Sequence, residues 1–169
     1  MTAVVIVVTV VASLATWITW TATRVDRLIG RTEAARSALD AQLVRRAAAA
    51  QALAGRAGRE LGPELADRLH TVARAALEAG SAARESVEND LGRVLAALPN
   101  GLDPLLARDL AEAATRVVLA RRFYNDAVRD SRALRGRWLP RLLRLGDRHR
   151  LPGFFEIDEV TLEKIMASG

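Results

Sequence analysis

Residues 103–135 read DPLLARDLAEAATRVVLARRFYNDAVRDSRALR and contain the clearest structural pattern in the chain. Asp103 followed by Pro104 is typical of a helix start, because aspartate caps free backbone N–H groups and proline suits the first helical position. Apolar or small residues then recur at alternating intervals of three and four, which predicts one long helix with a narrow buried stripe. The stripe comprises Leu106, Leu110, Ala113, Val117, Ala120, Tyr124, Ala127, Ser131 and Leu134.

Two earlier segments have the same periodicity, and proline and glycine separate them. The first runs from about Arg24 to Leu61, and its stripe is Val25, Leu28, Thr32, Ala35, Leu39, Leu43, Ala50, Leu53 and Leu61. The second starts at Pro63 and ends before Pro99, and its stripe is Leu65, Leu69, Val72, Ala76, Ala79, Ala83, Val87, Leu91, Val94 and Leu98. Short connections make sequential helices antiparallel neighbours. We therefore expect an all-α protein with an elongated antiparallel three-helix, coiled-coil-like bundle and a short C-terminal tail.

The composition narrows the possible functions. The 169 residues include no cysteine and two histidines, which excludes disulfides, thiolate metal sites and cysteine nucleophiles and makes acid–base catalysis improbable. Glu64, Asp67 and His70 share one face of a helix, but acidic residues in an exposed first turn explain that spacing better than a metal site does. We expect no enzyme activity, no cofactor and no bound metal.

The N-terminal segment is apolar and long enough to cross a membrane. Residues 3–22 read AVVIVVTVVASLATWITWTA, without a charged side chain, and about 20 helical residues span the hydrocarbon layer. Trp17 and Trp20 stand near its end, where tryptophan favours the membrane–water interface. A cleavable signal peptide is the alternative, but it requires a basic n-region. We predict a single transmembrane helix over residues 1–23 in a cell-membrane protein.

The basic residues around this helix predict its orientation. Arg24, Arg27, Arg31 and Arg36 follow the apolar run, and no basic side chain precedes it. The positive-inside rule then puts the bulk of the chain in the cytoplasm.

Positive charge is concentrated late in the chain. Residues 116–150 contain eleven arginines against Asp126, Asp130 and Asp147, a local balance of +8 within a net charge of +5. The basic cluster consists of Arg132, Arg135, Arg137, Arg141, Arg144, Arg148 and Arg150. With Trp138 beside it, this cluster is a candidate for binding anionic lipid. Nucleic acid is the other candidate ligand, but Trp138 is the single aromatic residue there that is available for stacking on bases. In the three-helix arrangement, however, the third helix carries the cluster away from the membrane.

Several motifs together resemble the LemA family of bacterial membrane proteins. The third segment contains Ala120-Arg121-Arg122-Phe123-Tyr124-Asn125-Asp126-Ala127-Val128, and Phe154-Phe155-Glu156 follows in the tail. Residues 43–46 (LVRR) and 88–95 (ENDLGRVL) also look similar to family segments. After Arg46, however, residues 47–53 read AAAAQAL where the family has an Asp-Leu-x-Pro-Asn-Leu segment. The resemblance implies a one-pass membrane protein with a long helical domain and no established catalytic activity.

The sequence therefore indicates three regions and a short set of candidate interaction residues. The regions are an anchor at 1–23, a LemA-like helical bundle at 24–138, and an Arg-rich segment with the tail at 139–169. Besides the basic cluster, the candidates are Arg121, Arg122, Tyr124, Asn125, Val128, Arg129, Phe154, Phe155 and Glu156. Tyr124 lies on the apolar stripe and is expected in the core. The two phenylalanines of the tail favour docking onto the bundle, with an exposed partner-binding motif as the alternative.

We expect the chain to act as a non-catalytic, membrane-anchored scaffold that binds an unknown protein or a second copy of itself. A lipid- or nucleic-acid-binding module acting through residues 132–150 is the alternative.

Overall fold

The computed structural model describes residues 1–99, 102, 104–135 and 153–157. All regular secondary structure in these residues is helical. The elements are α1 (Thr2–Arg56), α2 (Gly58–Leu61), α3 (Pro63–Glu78), α4 (Arg84–Ala96) and α5 (Pro104–Arg135). The described residues form two compact units, one within residues 1–35 and 125–153 and the other within residues 36–124 and 154–169. The expectation of an all-helical protein is confirmed.

Helix α1 begins at Thr2 and continues without a break to Arg56, so the apolar segment and the first amphipathic segment form one helix. Its apolar window is long enough to cross a membrane, and none of that window is buried by the rest of the protein. The helix ends between Gly55 and Gly58, whose low helix propensity favours termination there. Ala57 interrupts the helix, and the single turn α2 follows.

The prediction of one helix from Pro63 to Leu98 is wrong, because the segment is broken between α3 and α4. Ala79 has an extended backbone (φ −65°, ψ 126°), and the N–H of Ala83 bonds to the carbonyl of Gly80 in a turn. Gly80 and Ser81 are weak helix formers, and the stripe there contains only alanines, which bury little area. The break allows α4 to pack against α3.

The unit of residues 36–124 and 154–169 contains an alanine- and leucine-rich core. Its buried members come from α1 to α5 and from Ala57 between α1 and α2, and eight of the fourteen lie at predicted stripe positions. They are Ala47, Ala50, Leu53, Ala54, Ala57, Leu61, Leu69, Ala73, Ala76, Leu91, Val94, Leu95, Leu110 and Ala114. Seven of the fourteen are alanines, which bury little area each, so the six leucines supply much of the hydrophobic stabilisation.

The other unit pairs α1 with the end of α5. The Thr32 hydroxyl lies 2.7 Å from the Ser131 hydroxyl and 3.3 Å from the Ala127 carbonyl oxygen, and both hydroxyl residues are buried. Thr32 is nine residues beyond Thr23, which is about 14 Å along a helix. The last turns of α5 therefore lie close to the apolar part of α1. This overturns the expectation that the third helix carries its C-terminal end away from the membrane segment.

Gly62 and Gly55 should respond in opposite ways to alanine. Gly62 has φ 75° and ψ 157°, a region open essentially only to glycine, so Gly62→Ala should cost roughly 1–3 kcal/mol of unfolding free energy. Gly55 is helical, and nothing lies within 4 Å of where its Cβ would be, so Gly55→Ala should add roughly 0.5–1 kcal/mol. Denaturant unfolding of the full-length protein in detergent measures both. Equal effects would contradict the backbone conformation at Gly62.

Candidate functional site: a buried ion pair and the exposed face of α5

A fully buried ion pair joins α1 to α4. The Arg46 Nη2 and Glu88 Oε2 atoms are 2.6 Å apart, and both side chains have an exposed fraction of 0%. The same Nη2 lies 3.5 Å from the Glu88 carbonyl oxygen. Arg46 follows Leu43 by one turn, and Glu88 precedes Leu91 by one turn, so each occupies a core-facing position of its helix. The pair therefore stands within the core of its unit.

Hydrogen bonding inside this core is incomplete. Among the described residues, no partner is present for Arg46 Nε, Arg46 Nη1 or Glu88 Oε1, all of which are buried. Burial raises the pKa of Glu88 above its ordinary value, because the loss of hydration outweighs the attraction of Arg46 and Arg84. The ion pair is thus a costly feature of the core, and removing only one of its charges costs more still.

Arg84 forms a second link at the edge of the ion pair. Its Nη2 is 2.9 Å from the Asp40 carboxylate on α1, and its Nη1 donates to the carbonyl oxygen of Ala76 at 2.7 Å. That carbonyl belongs to the last turn of α3, where helix carbonyls lack an intrahelical partner. Arg84 therefore connects three helices, and it also lies near enough to Glu88 to favour its carboxylate form.

Sequence reasoning missed Arg46 and Glu88 as a pair, although both lie in segments that carry the family resemblance. The predicted stripe of the first segment has a gap between Leu43 and Ala50, and Arg46 fills it at the core-facing spacing. The available signal for the ion pair was a charged residue in such a gap, together with an opposite charge at a core-facing position of another segment.

Glu88 should make the stability of the protein depend on pH. Since its folded-state pKa lies above the unfolded value of 4.5, its contribution is fully present below that pH and is lost as pH rises through the folded-state pKa. The unfolding free energy of the parent protein, measured relative to Glu88→Gln, should therefore fall as pH rises above about 4.5. Denaturant titrations at several pH values test this, with Glu112→Gln at an exposed ion pair as the control. A difference that stays constant with pH would contradict it.

The family-motif residues of α5 do not share one environment. Tyr124 is 5% exposed and Val128 is fully buried, which confirms the core position expected for Tyr124. Arg121 and Asn125 are half-buried, whereas Arg122 and Arg129 are exposed. Arg129 pairs with Asp126 on the same helix at 2.6 Å. Of these candidate residues, only Arg122 and Arg129 are therefore exposed, and Arg129 is paired within α5.

The exposed face of α5 contains an apolar pair that the sequence did not single out. Leu119 is 54% exposed and Phe123 is 62% exposed, and they are four residues apart, so they adjoin on one face of the helix. Phe123 is one of only three phenylalanines in the chain. Its neighbour Tyr124 is buried, as the apolar stripe predicted, but the stripe gave no sign that Phe123 would be an exposed aromatic residue.

The C-terminal tail contacts α4 through its backbone. The N–H of Glu156 donates to the Glu85 carboxylate at 3.4 Å, and Ile157 is buried. Phe155 is half-buried and Phe154 is 37% exposed. The described part of the tail thus agrees with docking rather than with a fully exposed motif.

Of the basic cluster, Arg132 is described as an exposed residue of α5, and Arg135 is the last residue of that helix. The other five members, and the Arg-rich segment 139–150, lie outside the described residues. Among the described residues, no group of three or more histidine, cysteine or acidic side chains is placed to hold a metal ion. Glu64, Asp67 and His70 are exposed on α3.

No family model, no curated protein and no solved structure matches this chain.

Proposed function

We propose that this chain is a single-pass membrane protein whose helical part is a non-catalytic protein-interaction module. Residues 1–23 form the membrane span, and the bulk of the chain lies in the cytoplasm, as the arginines after the span favour. The large exposed apolar side chains of the first twenty residues support the span, since a continuous surface of that kind is unfavourable in water. An elongated antiparallel helical bundle of the LemA type is part of this proposal.

One structural feature supports the LemA-like interpretation. The Arg46–Glu88 ion pair joins the segments 43–46 and 88–95, which both contributed to the resemblance. Two separate motifs of the sequence thus make one buried contact.

The exposed Leu119–Phe123 pair on α5 is the main observation that supports the interaction role. Aromatic residues are enriched at the centres of protein interfaces, where they contribute much of the binding energy. In a chain with 4% aromatic residues, a phenylalanine that is 62% exposed beside an exposed leucine is a conspicuous apolar feature of the described surface outside the span. The flanking charges are mixed, with Glu112 and Arg116 paired to each other, as expected of a polar rim. The partner is a protein with a complementary apolar pocket, or a second copy of this chain.

Charge substitutions on this face test the role. Leu119→Glu combined with Phe123→Glu should abolish a complex that chemical cross-linking captures in membranes and that gel filtration retains in mild detergent. Ala48→Glu with Ala52→Glu is the matched control, since these positions are also exposed, helical and four residues apart. Loss of the complex only in the α5 variant supports the proposal. A complex that survives in both variants, or no complex from the parent protein, contradicts it.

A further inference from the structure

One face of α1 carries a continuous series of aromatic and basic side chains. Trp17, Trp20, Arg24, Arg27 and Arg31 are spaced by three and four residues, so they lie along one side of the helix. All five are exposed. The Arg24 guanidinium stands 5.6 Å from the centre of the Trp20 ring, a cation–π distance. We call these five residues the Trp–Arg stripe.

The acidic side chains on this part of α1 lie away from the Trp–Arg stripe. Asp26 and Glu33 are also exposed, but at 100° per residue they lie on the opposite side of α1. The three arginines therefore present positive charge on one face, even though the net charge of this part of α1 is small.

The end of α5 brings a small net positive charge to the same unit, because Arg129, Arg132 and Arg135 outnumber Asp126 and Asp130 there. Ser131 contacts Thr32, and the exposed Arg132 is its next neighbour in the chain. Arg132 therefore lies within the part of the unit that follows the apolar segment of α1. By sequence, the seven arginines of the basic cluster begin here, with Asp147 as the only acidic residue among them.

The depth of the Trp–Arg stripe matches the polar layer of a bilayer. Tryptophan favours the interface, and the headgroup layer adds roughly 5–8 Å beyond the hydrocarbon core on each side. Arg24 and Arg27 are one and four residues past Thr23, which places them within about 6 Å of the end of the apolar run. Arg31 is about 12 Å from it, within one Debye length of the headgroups at physiological ionic strength.

We propose that Arg24, Arg27 and Arg31, together with Arg132, bind the phosphate-bearing headgroups of anionic phospholipids in the bilayer that α1 spans. Guanidinium groups suit this role because their donors match phosphate oxygens in pairs. Trp17 and Trp20 fix the depth of the arginines. This inference rests on the membrane span proposed above and adds a lipid preference to it.

Lipid retention by the full-length protein tests this inference. The protein in detergent micelles is offered equal amounts of phosphatidylglycerol and phosphatidylcholine, and native mass spectrometry counts the lipids that remain bound. The parent protein should prefer phosphatidylglycerol, and salt should weaken that preference. Each arginine near an anionic surface contributes about fivefold in affinity, so Arg24→Gln, Arg27→Gln and Arg31→Gln together should reduce the preference by roughly tenfold or more. Adding Arg132→Gln should reduce it further.

The matched control removes the same charge elsewhere. Arg59→Gln, Arg68→Gln and Arg74→Gln replace three exposed arginines of α2 and α3 and should leave the preference unchanged. A preference that survives in the Trp–Arg stripe variant, or an equal loss in the control, overturns the inference. It is likewise overturned if the parent shows no lipid preference but binds DNA through these arginines.

Alkaline extraction of membranes from the same cells separates the two proposals. A parent protein that stays in the membrane but shows no lipid preference refutes only the lipid inference, whereas a parent that is extracted refutes the membrane span.

Discussion

Removing either partner of the Arg46–Glu88 ion pair should cost about 3–5 kcal/mol of unfolding free energy at neutral pH. Arg46→Ala leaves the Glu88 carboxylate buried without its counter-charge, and Glu88→Ala does the same to the guanidinium. Neither side chain is exposed to solvent, so water cannot replace the lost partner without opening the core. Denaturant unfolding of the full-length protein, followed by circular dichroism in detergent, measures the loss.

The exposed ion pair between Arg93 and Asp90 on α4 is the matched control for this prediction. Both side chains are at least half exposed, with fractions of 72% and 50%, so Arg93→Ala should cost no more than about 1 kcal/mol. Replacing both buried charges, by Arg46→Met with Glu88→Leu, should restore most of the stability or exceed that of the parent, because the desolvation cost of both ions disappears. If Arg46→Ala and Glu88→Ala each lowered the unfolding free energy as little as Arg93→Ala does, Arg46 and Glu88 would not be an ion pair inside the core.

Two arginines in the apolar part of α1 should prevent membrane integration. Each arginine at the centre of a membrane-spanning helix costs about 2.5–3.5 kcal/mol on the insertion scale, so Val8→Arg with Val11→Arg should cost about 5–7 kcal/mol. Both valines are exposed on α1, and therefore no protein packing is lost by changing them. Resistance to alkaline extraction is the measurement, and the expected result is its complete loss.

Arginines placed farther along the same helix control for the added charge. Ala48→Arg with Ala52→Arg changes two exposed positions outside the apolar window and should leave the protein in the membrane. If the Val8 and Val11 variant also remained membrane-bound, residues 1–23 would not be the anchor.

The helices could be predicted well from the sequence where apolar side chains are large and regularly spaced. The stripe of residues 103–135 predicted α5 to within a residue, and its described members from Leu110 to Leu134 are all buried or half-buried. The break at Gly80 was missed because alanines continue the three-and-four spacing without burying enough area to hold the helix together. Periodicity alone does not reveal where packing is too weak to sustain a helix.

Tertiary pairing was harder to predict, because it depends on residues far apart in the chain. Thr32 and Ser131 are polar residues that stood at stripe positions, and their hydroxyls meet in the structure. Pairing these two polar residues of otherwise apolar stripes would have placed the end of α5 beside the start of the amphipathic part of α1. The direction of the last helix was instead inferred from the short connections between three helices. Because the second segment forms two helices, α3 and α4, that inferred direction was wrong.

The exposed apolar residues of α5 could not be predicted from the sequence, for a different reason. Phe123 and Tyr124 are adjacent in the sequence, yet one is 62% exposed and the other is 5% exposed. The stripe correctly assigned Tyr124 to the core, but the exposed side of a helix tolerates many residue types. An apolar residue there becomes informative only when its exposure is known.

Site-specific photocrosslinking at Phe123 in intact membranes tests the proposed interaction role most directly. A photoreactive phenylalanine analogue at this exposed position of α5 should give one or more discrete crosslinked species larger than the monomer, because the partner would cover the Leu119–Phe123 pair. The same analogue at His70, which is exposed on α3, should leave the protein monomeric after illumination. Monomer alone at both positions, or the same products at both, would contradict the role of α5 as an interaction surface.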